Sequence, residues 1–189
     1  MKARIAVLVS GGGANLQALL DAQVAGALRS GEVVLVVSDQ PGAYALERAR
    51  SMGVEAAVLT EDFEAQLRDL LEARDIDLVV LAGFMRILSA DFTADFDRRI
   101  INVHPSLIPA FCGKGFYGLR VHRAALDYGV KVTGATVHFV NEIPDGGEII
   151  AQKAVPVHPD DTPETLQRRV MEEAEWLLLP EACEMISEQ

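Results

Sequence analysis

The segment Ile101-Asn102-Val103-His104-Pro105 places an amide and an imidazole two residues apart. On an extended strand that spacing points both side chains the same way. Pro105 ends the strand, so Asn102 and His104 sit at a carboxyl end, where open α/β sheets hold their ligands. The amide supplies a neutral hydrogen-bond donor and the imidazole a group that charges near neutral pH, a pair suited to stabilising an oxyanion in acyl transfer. The bland alternative is a strand end where Asn102 caps a turn and His104 is structural. Asp145, in Pro144-Asp145-Gly146-Gly147, adds a carboxylate. Beside His104 it would raise the imidazole pKa and hold one tautomer. Asp-Gly is equally a plain turn signal, and the residues alone do not choose.

A second site candidate is Ser10-Gly11-Gly12-Gly13-Ala14-Asn15, which follows an apolar run and opens a helical stretch. Backbone N–H groups in that setting cradle a phosphate. A dinucleotide fingerprint would need glycine at position 16, where the chain has Leu16, although Asp39 keeps that reading open as a ribose-binding acid. A Walker loop is absent, and an unliganded tight turn is the third reading. Elsewhere, His138 reads as support for Asp145 or as structural, and His122 and His158 read as surface residues. Trp176 with Leu177, Leu178 and Leu179 reads as core or a subunit contact, which leaves a homodimer open.

These residues need elements to position them. Ile5 to Val9, Val33 to Val37, Val54 to Leu59, Asp77 to Ala82 and Ile100 to Val103 are apolar runs without polar alternation, as in strands buried on both faces of a parallel sheet. Between them, Asn15 to Leu28, Ala43 to Ser51, Phe63 to Arg74 and Ala90 to Phe96 have helical period. In the first, Leu16, Leu19, Leu20 and Val24 mark one stripe. After a glycine-rich loop (Ala110 to Gly118) come a short helix at Leu119 to Tyr128 and two strands, Val132 to Val140 and Glu148 to Val157. Thr162 then caps a last helix running to about Ile186. This predicts one α/β domain over 1–189: a Rossmann-like open, mostly parallel sheet with helices on both faces and an antiparallel C-terminal strand pair.

Composition narrows the partners. Twenty-eight acids against 17 bases leave a net charge of −11. Such a field disfavours nucleic acid and anionic membranes, while one helix N-terminus can still hold a small phosphate. Cys112 and Cys183 have no CxxC or metal spacing, which points to a reducing, cytoplasmic setting and no metal. The apolar run after Lys2 and Arg4 is too short for a signal peptide, and no stretch is long enough for a membrane span.

Four blocks occur in order: Ser10 to Gln17 (SGGGANLQ), Leu81 to Leu88 (LAGFMRIL), Asn102 to Pro109 (NVHPSLIP), and Thr136 to Val140 (TVHFV) with Asp145-Gly146-Gly147. Together they closely resemble the phosphoribosylglycinamide formyltransferases, folate-dependent enzymes of purine synthesis, over about Ile5 to Pro180. The resemblance implies transfer of the formyl group of 10-formyltetrahydrofolate to the amine of glycinamide ribonucleotide. It implies no metal and no nicotinamide. By position, Asn102, His104 and Asp145 match the family's catalytic trio, in which protonated His104 and Asn102 hold the oxyanion and Asp145 raises the His104 pKa. Gly12, Gly13, Ala14 and Asn15 match the phosphate-binding turn. Met85, Arg86, Ile87 and Leu88 match the segment beside the folate, with Asn102; Asn141, Glu142, Ile143 and Pro144 match the loop around its pterin.

Departures from the family pattern are also visible. Ala14 stands where the family carries serine. The ribose-binding glutamate sits five residues before a proline, which selects Glu175 from Pro180; the helix reads one residue longer than usual, which keeps Glu173 open. No basic counterpart occurs around Glu61 to Gln66. The longer loop at Phe111 to Gly118 reads as a mobile surface insertion, or else its Lys114 meets the anionic folate tail. Competing functions are a non-catalytic folate or nucleotide module, a nicotinamide-binding protein using Gly11, Gly13 and Asp39, and a 10-formyltetrahydrofolate hydrolase. The hydrolase and the methionyl-tRNA formyltransferase each call for a further domain beyond these 189 residues.

Overall fold

The computed structural model describes residues 1–189. Its strands are β1 (Ala3–Val9), β2 (Gly31–Ser38), β3 (Glu55–Val58), β4 (Leu78–Leu81), β5 (Ile100–His104), β6 (Val132–Phe139) and β7 (Ile149–Pro156). They form one sheet in the order β3-β2-β1-β4-β5-β6-β7. The first five are parallel, and β6 runs antiparallel to both β5 and β7. This is the mostly parallel sheet with an antiparallel end that the apolar runs predict. The helices are α1 (Ala14–Val24), α2 (Tyr44–Ser51), α3 (Phe63–Ala73), α4 (Ala90–Asp95), α5 (Leu119–Tyr128), α6 (Pro163–Val170) and α7 (Trp176–Ser187).

The central strand shows why its run is unbroken. Ile5, Val7 and Val9 pack into the layer formed by α1, α2, α6 and α7, while Ala6 and Leu8 pack into the opposite layer with α3 and α4. Both faces are covered, so no polar residue is tolerated. In α1, Leu16, Leu19 and Leu20 are buried, and truncating any one to Ala costs about 2–5 kcal/mol. Val24 leaves the expected stripe: it is 73% exposed. The helix stops there, four residues before Leu28, because Gly26 takes a left-handed φ of 74° and ends it.

The C-terminal helix starts as expected. Thr162 accepts the Thr165 N–H, the Thr165 hydroxyl answers to the Thr162 N–H, and Pro163 occupies the first turn. It is not uniform, however: Met171–Glu175 form a π turn between α6 and α7. No helix is long and apolar enough to cross a membrane.

The chain leaves β1 toward β2 and β3, then returns to β4 on the other side of β1. The crevice at the carboxyl ends of β1 and β4 is therefore the switch point at which such sheets bind ligands. Ser10 to Gly13 follow β1, Ala82 to Leu88 follow β4, and Asn102 and His104 end the next strand.

Candidate active site

Register on β5 and β6 builds the centre. Asn102 pairs with His138, and His104 with Thr136, so strand alternation gathers these side chains on one face. Asp145 reaches them from the turn after β6, with a left-handed φ of 56°. A Cβ on Gly147 would lie 1.7 Å from the Phe139 carbonyl oxygen, so the turn is that tight only with glycine. Asp145 Oδ2 is 3.5 Å from His104 Nδ1, and Oδ1 is 3.5 Å from His138 Nε2. His138 Nδ1 donates to the Phe139 carbonyl at 2.8 Å, and its Nε2 lies 3.2 Å from Asn102 Nδ2. The three residues that the family resemblance groups together are thus gathered in space.

The loop at 110–118 is not the free surface insertion expected of it. His104 Nε2 donates to the Phe111 carbonyl at 2.9 Å, and the Gly113 N–H donates to Asp145 Oδ2 at 2.8 Å. Ser106 Oγ donates to the Ala110 carbonyl at 2.6 Å, and Phe111 packs against the core and edge-on to Tyr128. The loop backbone completes the polar shell of the trio.

These contacts set the proton affinities. Burial pushes the His104 imidazole below its usual value and outweighs the pull upward from Asp145 and the Phe111 carbonyl. Asp145 thus does raise the His104 pKa, but burial outweighs that rise. With its Nε2 proton on Phe111, His104 donates from Nδ1 to Asp145 only as the imidazolium. Asp145 goes the other way. Burial pushes its carboxyl up, but the His138 bond, the His104 charge and the Gly113 N–H together hold it below the usual range.

Two cavities meet at this centre. The larger, about 410 Å³, is lined by Phe84 to Leu88 after β4, by Asn102, by Gly113 to Tyr117, and by Asn141, Ile143, Pro144 and Asp145. Of the residues expected around a folate, only Glu142 stays off this wall; it is exposed. Lys114 is on the wall. A hydrogen-bond network around the buried Asp39 holds the segment after β4: Met85 N–H donates to Ser10 Oγ at 2.9 Å, and Ser10 Oγ donates to Asp39 Oδ1 at 2.7 Å. Arg86 Nε donates to Asp39 Oδ2 at 3.2 Å and its guanidinium stacks on Phe63. Both oxygens of Asp39 are spent inside the protein, which leaves the nicotinamide reading without its ribose-binding acid.

The smaller cavity, about 240 Å³, lies between the start of α1, the ends of β4 and β5, α5, and the α6 to π-turn segment. Asn15 and Glu175 line it, bonded to each other from Asn15 Nδ2 to Glu175 Oε2 at 2.9 Å. Glu175 is buried on this wall and Glu173 is exposed, so of the two only Glu175 faces the cavity. Burial raises the Glu175 carboxyl to about 7 against the opposing Asn15 bond. Gly12, Gly13 and Ala14 do not line this cavity; Ala14 faces outward toward Arg48 and Trp176. Gly13 has a left-handed φ of 76°, and a Cβ there would come within 2.6 Å of Ala45. It thereby opens α1 with first-turn N–H groups that have no helical acceptor.

His122 is the residue the sequence reading missed. It is 1% exposed, not a surface residue, and lines the smaller cavity. Burial, with the nearby His104 second, pushes its imidazole down to about 4. Its neighbours Val121 and Ala125 are buried on the same helix face, and that spacing was the available signal. No group of three or more His, Cys, Asp or Glu is placed to hold a metal ion.

A formyl transferase sequence profile matches residues 3–182. The chain is 43% identical over 191 residues to the trifunctional purine biosynthetic protein adenosine-3 of Drosophila melanogaster, covering 97% of this chain and 14% of that protein. It is 40% identical to the chloroplastic phosphoribosylglycinamide formyltransferase of Arabidopsis thaliana, covering 90% of this chain and 61% of that one. The chain thus spans less than two thirds of these two relatives. The crystal structure of glycinamide ribonucleotide transformylase 1 from Symbiobacterium toebii superposes with a TM-score of 0.92 at 45% identity, over 99% of this chain and 88% of that one. On the profile match, these identities and the shared architecture, the chain belongs to the formyl transferase family, among its phosphoribosylglycinamide formyltransferases.

Proposed function

We propose that the chain transfers the formyl group of 10-formyltetrahydrofolate to the amine of glycinamide ribonucleotide. The observation that carries this reading is the junction of the two cavities, because both open onto Asn102 and Asp145. A folate in the larger cavity and a phosphorylated amine in the smaller would meet there. Holding two reactants face to face removes much of the entropic barrier to their reaction. The turn into α1 at Gly12, Gly13, Ala14 and Asn15 would take the phosphate through backbone N–H groups, and Asn15 and Glu175 would take the ribose.

The amine nitrogen attacks the formyl carbon, and the carbonyl oxygen becomes an oxyanion. Asn102 donates a hydrogen bond to it. The developing negative charge offsets the burial that holds the His104 proton affinity down, so His104 charges as the intermediate forms. Asp145 then receives the Nδ1 proton of the imidazolium as a hydrogen bond and orients the ring. Collapse breaks the bond from the formyl carbon to the folate N10. One proton leaves the amine nitrogen and one is taken up by N10, with the His104–Asp145 pair placed to move it. A net charge of −11 and two free cysteines support small-molecule partners in a reducing, cytoplasmic setting.

Spectrophotometric deformylation of 10-formyltetrahydrofolate, with and without glycinamide ribonucleotide, tests the reading. Turnover that requires the amine is expected. Turnover without it makes the chain a hydrolase, and a folate-binding protein inactive under both conditions makes it a non-catalytic module.

A further inference from the structure

The smaller cavity holds a side chain that the reaction above does not use. Neither ring nitrogen of His122 has a hydrogen-bond partner, although the residue is almost fully buried. Buried polar atoms are nearly always paired, so an orphan facing a cavity signals a partner that arrives with a ligand. Two further orphans share the wall, Glu175 Oε1 and Asn15 Oδ1. The wall carries two carboxyl side chains, Asp145 and Glu175, and no Lys or Arg. It therefore suits an uncharged, hydrogen-bonding part of a ligand and repels a phosphate.

We propose that His122 binds the phosphorylated amine substrate directly, hydrogen-bonding an uncharged hydroxyl or amide group between its sugar and its reacting nitrogen. The proposal rests on the formyl-transfer reading above. A neutral imidazole offers one donor and one acceptor, so it matches either kind of group. Glu175 and Asn15 face the same space with polar atoms unused, and neither lines the larger cavity. His122 lies off the larger cavity, so its effect belongs to one substrate only.

Steady-state kinetics with each substrate varied in turn decide the matter, in H122L, H122N and H122Q. H122L removes both nitrogens, H122N keeps an amide near the Nδ1 position and H122Q one near Nε2. The expected result for H122L is a KM for glycinamide ribonucleotide raised about 5- to 20-fold, the loss of one or two hydrogen bonds. Its kcat and folate KM should stay close to wild type, and at least one amide variant should recover most of the affinity. KM values that move together for both substrates, or amide variants no better than H122L, assign His122 a packing role and overturn the proposal. Where H122L does not fold, H122A is read in its place by the same criteria. A wild-type chain inactive with the amine removes the functional reading itself; an active wild type with an unmoved H122L removes only the role of His122.

Discussion

The two cavities that meet at the trio are built in different ways. The larger is walled by connecting segments, and its apolar side chains stand in solvent: Met85 is 54% exposed, Ile87 68% and Ile143 57%. The smaller shares Phe84, Met85, Phe116 and Tyr117 with it but adds α1, α5 and the π turn, whose Asn15, His122 and Glu175 carry buried polar atoms without partners. A wall of the first kind gains affinity by covering apolar surface, and discriminates between ligands by roughly 10- to 200-fold per methylene. A wall of the second kind leaves a buried donor or acceptor stranded when the ligand lacks a matching group, and rejects such analogues by about 10⁴–10⁵. The chain should be permissive toward its folate and strict toward its amine.

The junction belongs to both cavities, so breaking it should have the largest effect. His104→Ala and Asp145→Asn should each lower kcat by about 10²–10⁴-fold, the usual weight of a positioned acid–base group. Circular dichroism and the thermal midpoint should stay near wild type, and near-normal turnover in either variant would dissolve the trio assignment.

Next in size is Glu175, where the buried wall has a signature the open one cannot produce. Its folded-state pKa, near 7, lies above the ordinary value of 4.5. The protonated form is favoured in the fold, so this contribution to stability is complete below about pH 4.5 and is lost as pH rises through 7. The ceiling is about 3 kcal/mol. In Glu175→Gln, which cannot ionise, the melting temperature relative to wild type should therefore climb between pH 5 and pH 8. A difference that is flat with pH would mean that Glu175 is not held neutral.

The smallest expected effect is on the open side. Ile87→Ala should raise the KM for the folate about 3- to 10-fold through lost apolar contact, with the amine KM and kcat unchanged. A shift in the amine KM would show that the two cavities are less separate than their walls suggest.

The sheet was legible because burial on both faces writes itself into composition: Ile5 to Val9 and Leu78 to Leu81 allow no polar residue. Asn102 and His104 were legible because strand alternation is a strict period. The pairing of His138 with Asn102 was not, since antiparallel register depends on where the chain turns between β5 and β6. His122 was misread because a histidine beside Val121 looks the same whether α6 covers that face or water does. The loop at 110–118 shows the sharpest limit. It is joined to the trio through the Phe111 carbonyl and the Gly113 N–H, groups that every residue carries and that no side-chain pattern reports.

The π turn at Met171–Glu175 bears on how such chains are aligned. Each residue of an α-helix advances about 100°, so in an unbroken helix Glu175 would lie about 140° around the axis from Val170. An extra residue would then swing either the carboxyl out of its cavity or Leu178, Leu179 and Ala182 out of the core. Widening one turn stores the residue locally, and both ends keep their phase. A chain one residue shorter in this stretch can thus share the same geometry on both sides of the turn.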